Sequence, residues 1–184
     1  MKPRTLAWTA AATAATAALG GAATEPRSAW YLRLRKPDWQ PPAAVFPVVW
    51  TALYADIAVT SAVALDRAAA IDSAAALDGS GSNDDLGAGP GAAGRRRELL
   101  SYQRALALNL VLNAAWSWFF WRSRKPWLAA AEAGLLTASS ADLVRRTHRL
   151  DRAAGVSLAP YAAWCGFATV LSAAIARLNP PRKG

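Results

Sequence analysis

The sequence predicts an all-α membrane protein built as a bundle of five transmembrane helices. Hydrophobic residues make up 54% of the 184 residues, and alanine, a strong helix former, supplies much of this apolar content. The chain also has nine tryptophans, a residue that gathers at membrane interfaces and lines aromatic binding sites. A helix needs about 20 apolar residues to cross a bilayer. Five segments approach that length: residues 5–24, 43–65, 99–121, 127–144 and 157–178.

The charge pattern and the scarcity of cysteine and histidine exclude several kinds of partner and site. The net charge of +9 comes from short basic clusters between the apolar segments, which is typical of loops flanking membrane helices. No nucleic-acid-binding motif accompanies this charge, so we predict no nucleic-acid partner. Cys165 is the single cysteine and His148 the single histidine. An internal disulfide and a Cys-rich or His-rich metal site are therefore excluded, and we predict no metal and no cofactor.

The first segment, residues 5–24, has two interpretations. Lys2 and Arg4 precede an apolar run that ends in small residues near Gly20, a pattern that fits a cleaved signal peptide. The same pattern fits a retained first helix. The segment has few leucines and no sharp cleavage site, so composition leaves both interpretations open.

The second segment is preceded by a stiff aromatic loop. Residues 36–54 read KPDWQPPAAVFPVVWTALY, and the prolines of the first half rule out a regular helix there. From about Ala43 the pattern predicts a helix with Pro47 in an early turn, where proline is best tolerated. Such a loop can cap a cavity at the mouth of the helix. The aromatic residues available to line this cavity are Trp39, Trp50 and Tyr54.

A polar insertion separates the second and third segments. The stretch DGSGSNDDLGAGPGAAG is rich in glycine, serine and aspartate and lacks apolar periodicity. It cannot bury enough apolar surface to fold, so it predicts a flexible linker at about residues 78–97. The alanine-rich stretch before it can prolong the second helix beyond the bilayer. We interpret residues 1–184 as a single membrane domain that carries this linker.

Two acidic residues, Asp56 and Glu132, fall inside predicted spans. An unpaired charge in a bilayer is costly, so such residues usually face the bundle interior or a wet cavity. Each can mark a polar point in a transport path. The simpler explanation, an acid near a helix end or a protonated carboxyl between helices, is favoured because neither acid has a partner visible in the sequence.

The third and fifth segments carry the residues with most chemical interest. Within LNLVLNAAWSWFFW, spacings of three and four place Asn113, Trp116 and Ser117 on one helical face, with Asn109 one turn earlier. An amide in an apolar helix needs a partner, which is either another helix or a ligand. Within APYAAWCGFATV, Trp164 and Ala168 share a face and leave room beside the indole, although spacing alone favours ordinary helix packing around a bulky ring.

Four motifs, WYLRLRKPDWQPP, VFPVVWTALY, LNLVLNAAWSWFF and APYAAWCGFATVL, occur in this order. Together they resemble the TspO/MBR family of tryptophan-rich sensory proteins and translocator proteins, once called peripheral benzodiazepine receptors. The resemblance covers nearly the whole chain except the linker. It implies five transmembrane helices with the first one retained, a homodimer, and a multi-pass location that we expect to be a bacterial cell membrane.

The resemblance also implies a site for porphyrins, notably protoporphyrin IX, and in some members for cholesterol or synthetic drugs. High-affinity cholesterol binding is not expected here, because Ala173 replaces the tyrosine of the sterol pattern although Arg177 remains. Trp39 is expected near a lid over the ligand. The pocket residues of the family fall on Tyr31, Trp50, Tyr54, Asn113, Trp116, Ser117, Trp164 and Ala168.

A porphyrin also suits the chemistry of these residues. Indoles such as Trp50 and Trp164 can cover its flat faces, and the basic residues Arg33, Arg35 and Lys36 can meet its carboxylates. The same basic residues can instead contact anionic lipid headgroups.

We expect a membrane protein that binds tetrapyrroles for transport or for tetrapyrrole or stress regulation. One alternative is an enzyme that degrades porphyrin in light through Trp50 and Trp164, and another is a membrane scaffold with a vestigial pocket. The expected pocket contains no acid–base pair, which favours a binding protein over an enzyme.

Overall fold

The structure, a computed structural model, describes residues 1–79 and 90–180. Within these ranges the chain is helical and contains no strand, which confirms the predicted all-α class. α4 continues directly into one π-helical turn, Trp118–Arg122. The helices are α1 (Pro3–Ala23), α2 (Ala29–Arg33), α3 (Val45–Gly79), α4 (Pro90–Ser117), α5 (Pro126–Leu150) and α6 (Arg152–Leu178).

Three helices of the described ranges are long and apolar enough to cross a membrane: α1, residues Val45–Ile71 of α3, and α6. α4 and α5 correspond to the third and fourth predicted spans and are long enough to cross, but they are less apolar. Part of the reason is that they carry buried amides and hydroxyls, including Asn109, Asn113 and Ser140. These side chains form hydrogen bonds inside the bundle, as described below.

α1 packs into the bundle through a stripe of small and hydroxyl-bearing residues. Thr9, Thr13, Thr16, Gly20 and Ala23 are its buried residues, and their spacing of three and four places them on one face. Thr9 donates a hydrogen bond to the Ala58 carbonyl of α3 at 2.8 Å. Small residues let membrane helices approach closely. The integration of α1 favours the retained-helix interpretation of the first segment.

α3 follows the sequence prediction at its beginning. It starts at Val45, so Pro47 lies in the first turn, and it continues through the alanine-rich stretch as far as Gly79. α4 then begins at Pro90. Residues 78–79 and 90–97 of the predicted linker therefore belong to helices, and residues 80–89 lie outside the described residues.

α5 and α6 form a tight antiparallel hairpin joined through Asp151. The Asp151 carboxylate accepts a hydrogen bond from the Ala154 backbone N–H at 3.0 Å and so caps α6. This bond, with a weaker contribution from Arg67, holds the pKa of the Asp151 carboxyl below its usual range. Gly155 lies directly against the backbone of His148, where a side chain has no space. The hairpin fixes α6, and α6 carries part of the candidate site.

Candidate functional site

The loop between α2 and α3, which we call the lid (residues 34–44), is hydrogen-bonded to Asn179, the residue that follows α6. The Arg35 backbone N–H donates to Asn179 Oδ1 at 3.0 Å, and Asn179 Nδ2 donates to the Arg35 carbonyl at 2.8 Å. This reciprocal pair holds the lid at the end of α6. In the sequence Asn179 is only a helix-stop residue, and a contact across 144 residues leaves no local signal.

The aromatic side chains of the lid region lie over α6 and the π-helical turn. Trp39 is 49% exposed and meets Phe167 edge-on, with ring centroids 5.9 Å apart. Tyr31 of α2 is held by the Lys36 ammonium, 4.1 Å from its ring centroid, and its hydroxyl accepts from Gln40 Nε2 at 3.4 Å. Trp39 therefore lies half-exposed at the edge of this group of rings, against α6.

Beneath the lid, α3 and α6 present facing aromatic rings, which we call the aromatic wall. On α3, Trp50 lies 5.4 Å from Tyr54 between ring centroids and 6.4 Å from Tyr161 of α6. Trp164 lies 5.9 Å from Phe46 and 5.1 Å from Phe167. The wall brings together Trp50, Tyr54 and Trp164, three of the residues predicted for the site. It also contains three rings that sequence reasoning did not select, and these are Phe46, Tyr161 and Phe167.

A second group of rings continues the wall toward the π-helical turn. Trp116 stacks on Phe120, with ring centroids 5.4 Å apart and planes inclined by 17°. Tyr31 packs against Trp121 at 4.6 Å. Phe46 and Phe167 belong to the same apolar cluster as these rings and also touch Trp164. Tyr31 and Trp116 therefore join the aromatic wall through shared neighbours.

Two of the predicted site residues, Ser117 and Ala168, are not part of these groups of aromatic rings. Ser117 is buried and faces α1, because a Cβ built on Gly20 would lie 3.2 Å from its Oγ. It shares a turn of α4 with Trp116 but contacts a different helix. Ala168 is half-buried on α6, one turn beyond Trp164.

A chain of hydrogen bonds, which we call the amide network, runs from the aromatic wall through four helices. Tyr54 Oη of α3 donates to Asn113 Oδ1 at 2.5 Å, and Asn113 Nδ2 of α4 donates to Tyr161 Oη at 3.1 Å. Tyr161 Oη of α6 donates to Asn109 Oδ1 at 2.7 Å, and Asn109 Nδ2 donates to Ser140 Oγ of α5 at 3.0 Å. Both asparagines therefore join helices, one of the two roles that the sequence left open.

Two indole N–H groups of the wall are buried without a hydrogen-bond partner among the described residues. They belong to Trp116 and Trp164. A buried donor that lacks an acceptor costs about 1–3 kcal/mol, and native proteins rarely retain such groups without a reason. The two donors are available to an acceptor on a ligand.

The rings of the wall contact one another directly, so a flat macrocycle can enter only if some of them move apart. Grooves of about 340 and 440 Å³ lie elsewhere. The first lies beside Lys2 and Asp66, and the second lies between α4 and α5. The lid, held by its hydrogen bonds to Asn179, is the non-helical segment next to the wall.

The two acids of the predicted spans differ in the structure. Asp56 Oδ1 accepts from Ser157 Oγ of α6 at 2.6 Å, a partner that the sequence did not reveal. Glu132 is 5% exposed, and neither carboxylate oxygen has a partner in the described part of the chain.

Helix register indicates which residue of α4 lies level with Glu132. Tyr102 of α4 forms a hydrogen bond with Thr147 of α5. Asn109 lies seven residues further along α4, and its partner Ser140 lies seven residues earlier on α5. A further step of seven places Trp116 opposite Ala133, beside Glu132. The unpartnered acid and the unpartnered indole N–H thus occupy the same level of the bundle.

The described residues hold no group of three His, Cys, Asp or Glu side chains that could bind a metal ion. His148 lies in the last turn of α5, exposed and away from the aromatic wall. The site is therefore a set of aromatic faces with buried amide, hydroxyl and indole groups. Such a set can bind a flat apolar molecule and orient its polar groups.

Comparison with known proteins gives one consistent family. The model of the TspO/MBR family matches residues 8–178. The chain is 27% identical to "Tryptophan-rich protein TspO" of Chlorobaculum tepidum, over 85% of this chain and 83% of that protein. It is 29% identical to "Tryptophan-rich sensory protein" of Cereibacter sphaeroides, over 82% of this chain and 77% of that protein. It is 26% identical to "Translocator protein" of Bos taurus, over 78% of this chain and 70% of that protein. The match over most of its length establishes that this chain belongs to the TspO/MBR family.

Proposed function

We propose that this membrane protein binds a tetrapyrrole such as protoporphyrin IX at the aromatic wall, under the lid. Binding serves porphyrin transport or the sensing of tetrapyrrole levels, in keeping with the words "sensory" and "translocator" in the names of its relatives. The resemblance to the family further supports a homodimer in a bacterial cell membrane.

The observation that carries this proposal is the pair of unpartnered indole N–H groups within a continuous aromatic lining. A porphyrin has two flat apolar faces and two carboxylates at one edge. The rings of Trp50 and Trp164 suit the faces, and each buried aromatic contact adds about 0.5–1.5 kcal/mol beyond its area. Indole N–H groups suit an acceptor on the ligand, and Lys36 of the lid supplies a positive charge nearby.

We also propose that α4 and α5 cross the membrane, which gives five spans. Their amides and hydroxyls form hydrogen bonds inside the bundle, so these groups do not need to face lipid. Their outer faces are apolar, because Leu108 and Val111 of α4 and Leu128 and Leu135 of α5 are exposed. Exposed aliphatic side chains on these helices are what a lipid-facing surface requires.

Substitution of Trp164 by alanine is expected to weaken binding of protoporphyrin IX about tenfold. The substitution removes a ring in contact with Phe46 and Phe167 and an unpartnered donor, and a tenfold change in affinity corresponds to about 1.4 kcal/mol. The measurement is a titration of the purified protein followed by the Soret absorbance of the porphyrin.

The matched control is Trp8→Ala, which removes an exposed indole of α1 away from the wall and should leave the affinity unchanged. Saturable binding by the parent chain, selectively weakened in Trp164→Ala, is the supporting result. A parent chain that does not saturate at micromolar porphyrin would contradict the proposal and leave the scaffold alternative.

Light-dependent degradation of porphyrin is the second candidate function. It is favoured by the half-buried indoles of Trp50 and Trp164, which lie where a bound macrocycle would be. Within the described residues the wall offers no nucleophile–base pair, so the reaction would depend on light-excited porphyrin, oxygen and an indole. Illuminating the titrated sample tests it: loss of Soret absorbance beyond a free-porphyrin control should disappear in Trp50→Phe, and equal loss in that variant rejects the candidate.

A further inference from the structure

A groove of about 440 Å³ opens between α4 and α5, at the end of the bundle where α4 begins and α5 ends. It lies away from the aromatic wall, and the proposed tetrapyrrole function does not use it. Its lining combines three arginines and one aspartate with aliphatic side chains. The charged residues and the leucines of this lining are Arg97, Leu100, Arg104, Leu108, Asp142 and Arg146.

One face of α4 supplies most of the lining. Arg97, Leu100, Arg104 and Leu108 follow one another at intervals of three and four residues, so they form a single stripe along the helix. Arg97 and Arg104 are two turns apart, a separation of about 10 Å along the axis. Leu108 lies one further turn toward the middle of the bundle. Both arginines therefore lie nearer the helix end than Leu108, which extends the stripe toward the middle of the bundle.

α5 contributes a guanidinium whose position is fixed. Arg146 Nη1 donates to Ser101 Oγ of α4 at 2.7 Å, and Arg146 Nε donates to Asp142 Oδ2 at 2.5 Å. Asp142 also accepts from Arg145. One carboxylate thus serves two arginines, and the groove keeps a net positive charge. A guanidinium has five N–H donors, so Arg146 retains donors for an anion.

The aliphatic residues decide what kind of anion fits. Leu100 is 41% exposed and Leu108 is 56% exposed, and both lie beside the arginines. A free anion would satisfy the charges but would make no contact with these leucines. A phospholipid can contact the arginines and the leucines together. Its phosphate lies at the headgroup level, and its acyl chain extends deeper, toward Leu108. Arginine pairs bidentately with phosphate, and its long side chain can reach the headgroup level from a deeper position.

We propose that the groove is a binding site for one phospholipid with an anionic headgroup. Its phosphate contacts Arg97, Arg104 and Arg146, and an acyl chain runs along Leu108. Basic pockets between membrane helices are a recognised way of holding such headgroups. The site is independent of the tetrapyrrole proposal, and either can fail without the other.

Native mass spectrometry of the detergent-solubilised full chain with phosphatidylglycerol or phosphatidylcholine tests this proposal. We expect phosphatidylglycerol to remain bound preferentially and its occupancy to fall at least fivefold in Arg104→Gln. The control Arg149→Gln removes an exposed charge at the same end of α5, outside the groove, and should have no effect. Leu108→Ala should also reduce retention, without a change of charge.

Three outcomes would overturn the proposal. Equal retention of the two lipids would remove the requirement for an anionic headgroup. Equal losses in Arg104→Gln and Arg149→Gln would show only general attraction of charge. Displacement of the lipid by millimolar inorganic phosphate, with Leu108→Ala unaffected, would show that a free anion is sufficient.

Discussion

Substitution of Gly155 by alanine is expected to lower the free energy of unfolding by about 3 kcal/mol, the upper end of the usual cost of overpacking. A Cβ at this position would lie 2.4 Å from both Cα and Cβ of His148 and 2.6 Å from its backbone nitrogen. Two of these three atoms are backbone, so a change of side-chain rotamer cannot relieve the clash. The α5–α6 hairpin must open, and α6 then moves relative to the rest of the aromatic wall.

Two other glycines provide matched controls for this substitution. A Cβ at Gly21 meets nothing within 4 Å, and a Cβ at Gly20 lies 3.2 Å from the Ser117 hydroxyl. Alanine favours helix more than glycine by up to about 1 kcal/mol, so Gly21→Ala should be neutral or stabilising. We expect the order Gly155→Ala, Gly20→Ala, Gly21→Ala from least to most stable, measured by thermal unfolding in detergent. A Gly155→Ala protein as stable as the parent would disprove the close contact.

The sequence predicts the helices well because their signals are local. Apolar runs locate the membrane segments, and the prolines of residues 36–54 separate the lid from α3. The ends are predicted less well: α4 begins at Pro90 and α5 continues to Leu150, because a helix can continue beyond the apolar segment through polar residues. Hydropathy likewise cannot distinguish a polar side chain that faces lipid from one, such as Asn109, that forms hydrogen bonds inside the bundle.

The site is predictable only in part, because its organisation depends on contacts between distant residues. Helical spacing placed Asn113, Trp116 and Ser117 together, but in the structure Ser117 contacts Gly20 of α1. Tyr161 gives no sequence signal beyond being an aromatic residue near a proline. Its position between two asparagines is set by the packing of α6 against α3 and α5, both of which also pack against α4. The hydrogen bonds of Asn179 to the lid are a second case in which only the tertiary fold reveals the role.

Substitution of Asn109 by leucine should test the amide network, and we expect a loss of about 2 kcal/mol in the free energy of unfolding. The amide is fully buried and makes hydrogen bonds to Tyr161, Ser140 and Ser139. Single interhelical hydrogen bonds in membrane proteins average about 0.6 kcal/mol, so three of them account for most of this figure. The measurement is reversible unfolding in mixed micelles with increasing denaturing detergent.

A double-mutant cycle with Tyr161→Phe distinguishes a network from loss of packing. Each single substitution removes the bond between Tyr161 Oη and Asn109 Oδ1, so the double variant should be less destabilised than the sum of the two by about 0.6 kcal/mol, the average for one such bond. Strict additivity would contradict the network. Tyr54 lies at the other end of the chain of bonds, three hydrogen bonds away from Asn109, so Tyr54→Phe should couple to Asn109→Leu more weakly than Tyr161→Phe does. The decrease of coupling with distance would show that Tyr54, on the aromatic wall, is linked to α5 through successive hydrogen bonds.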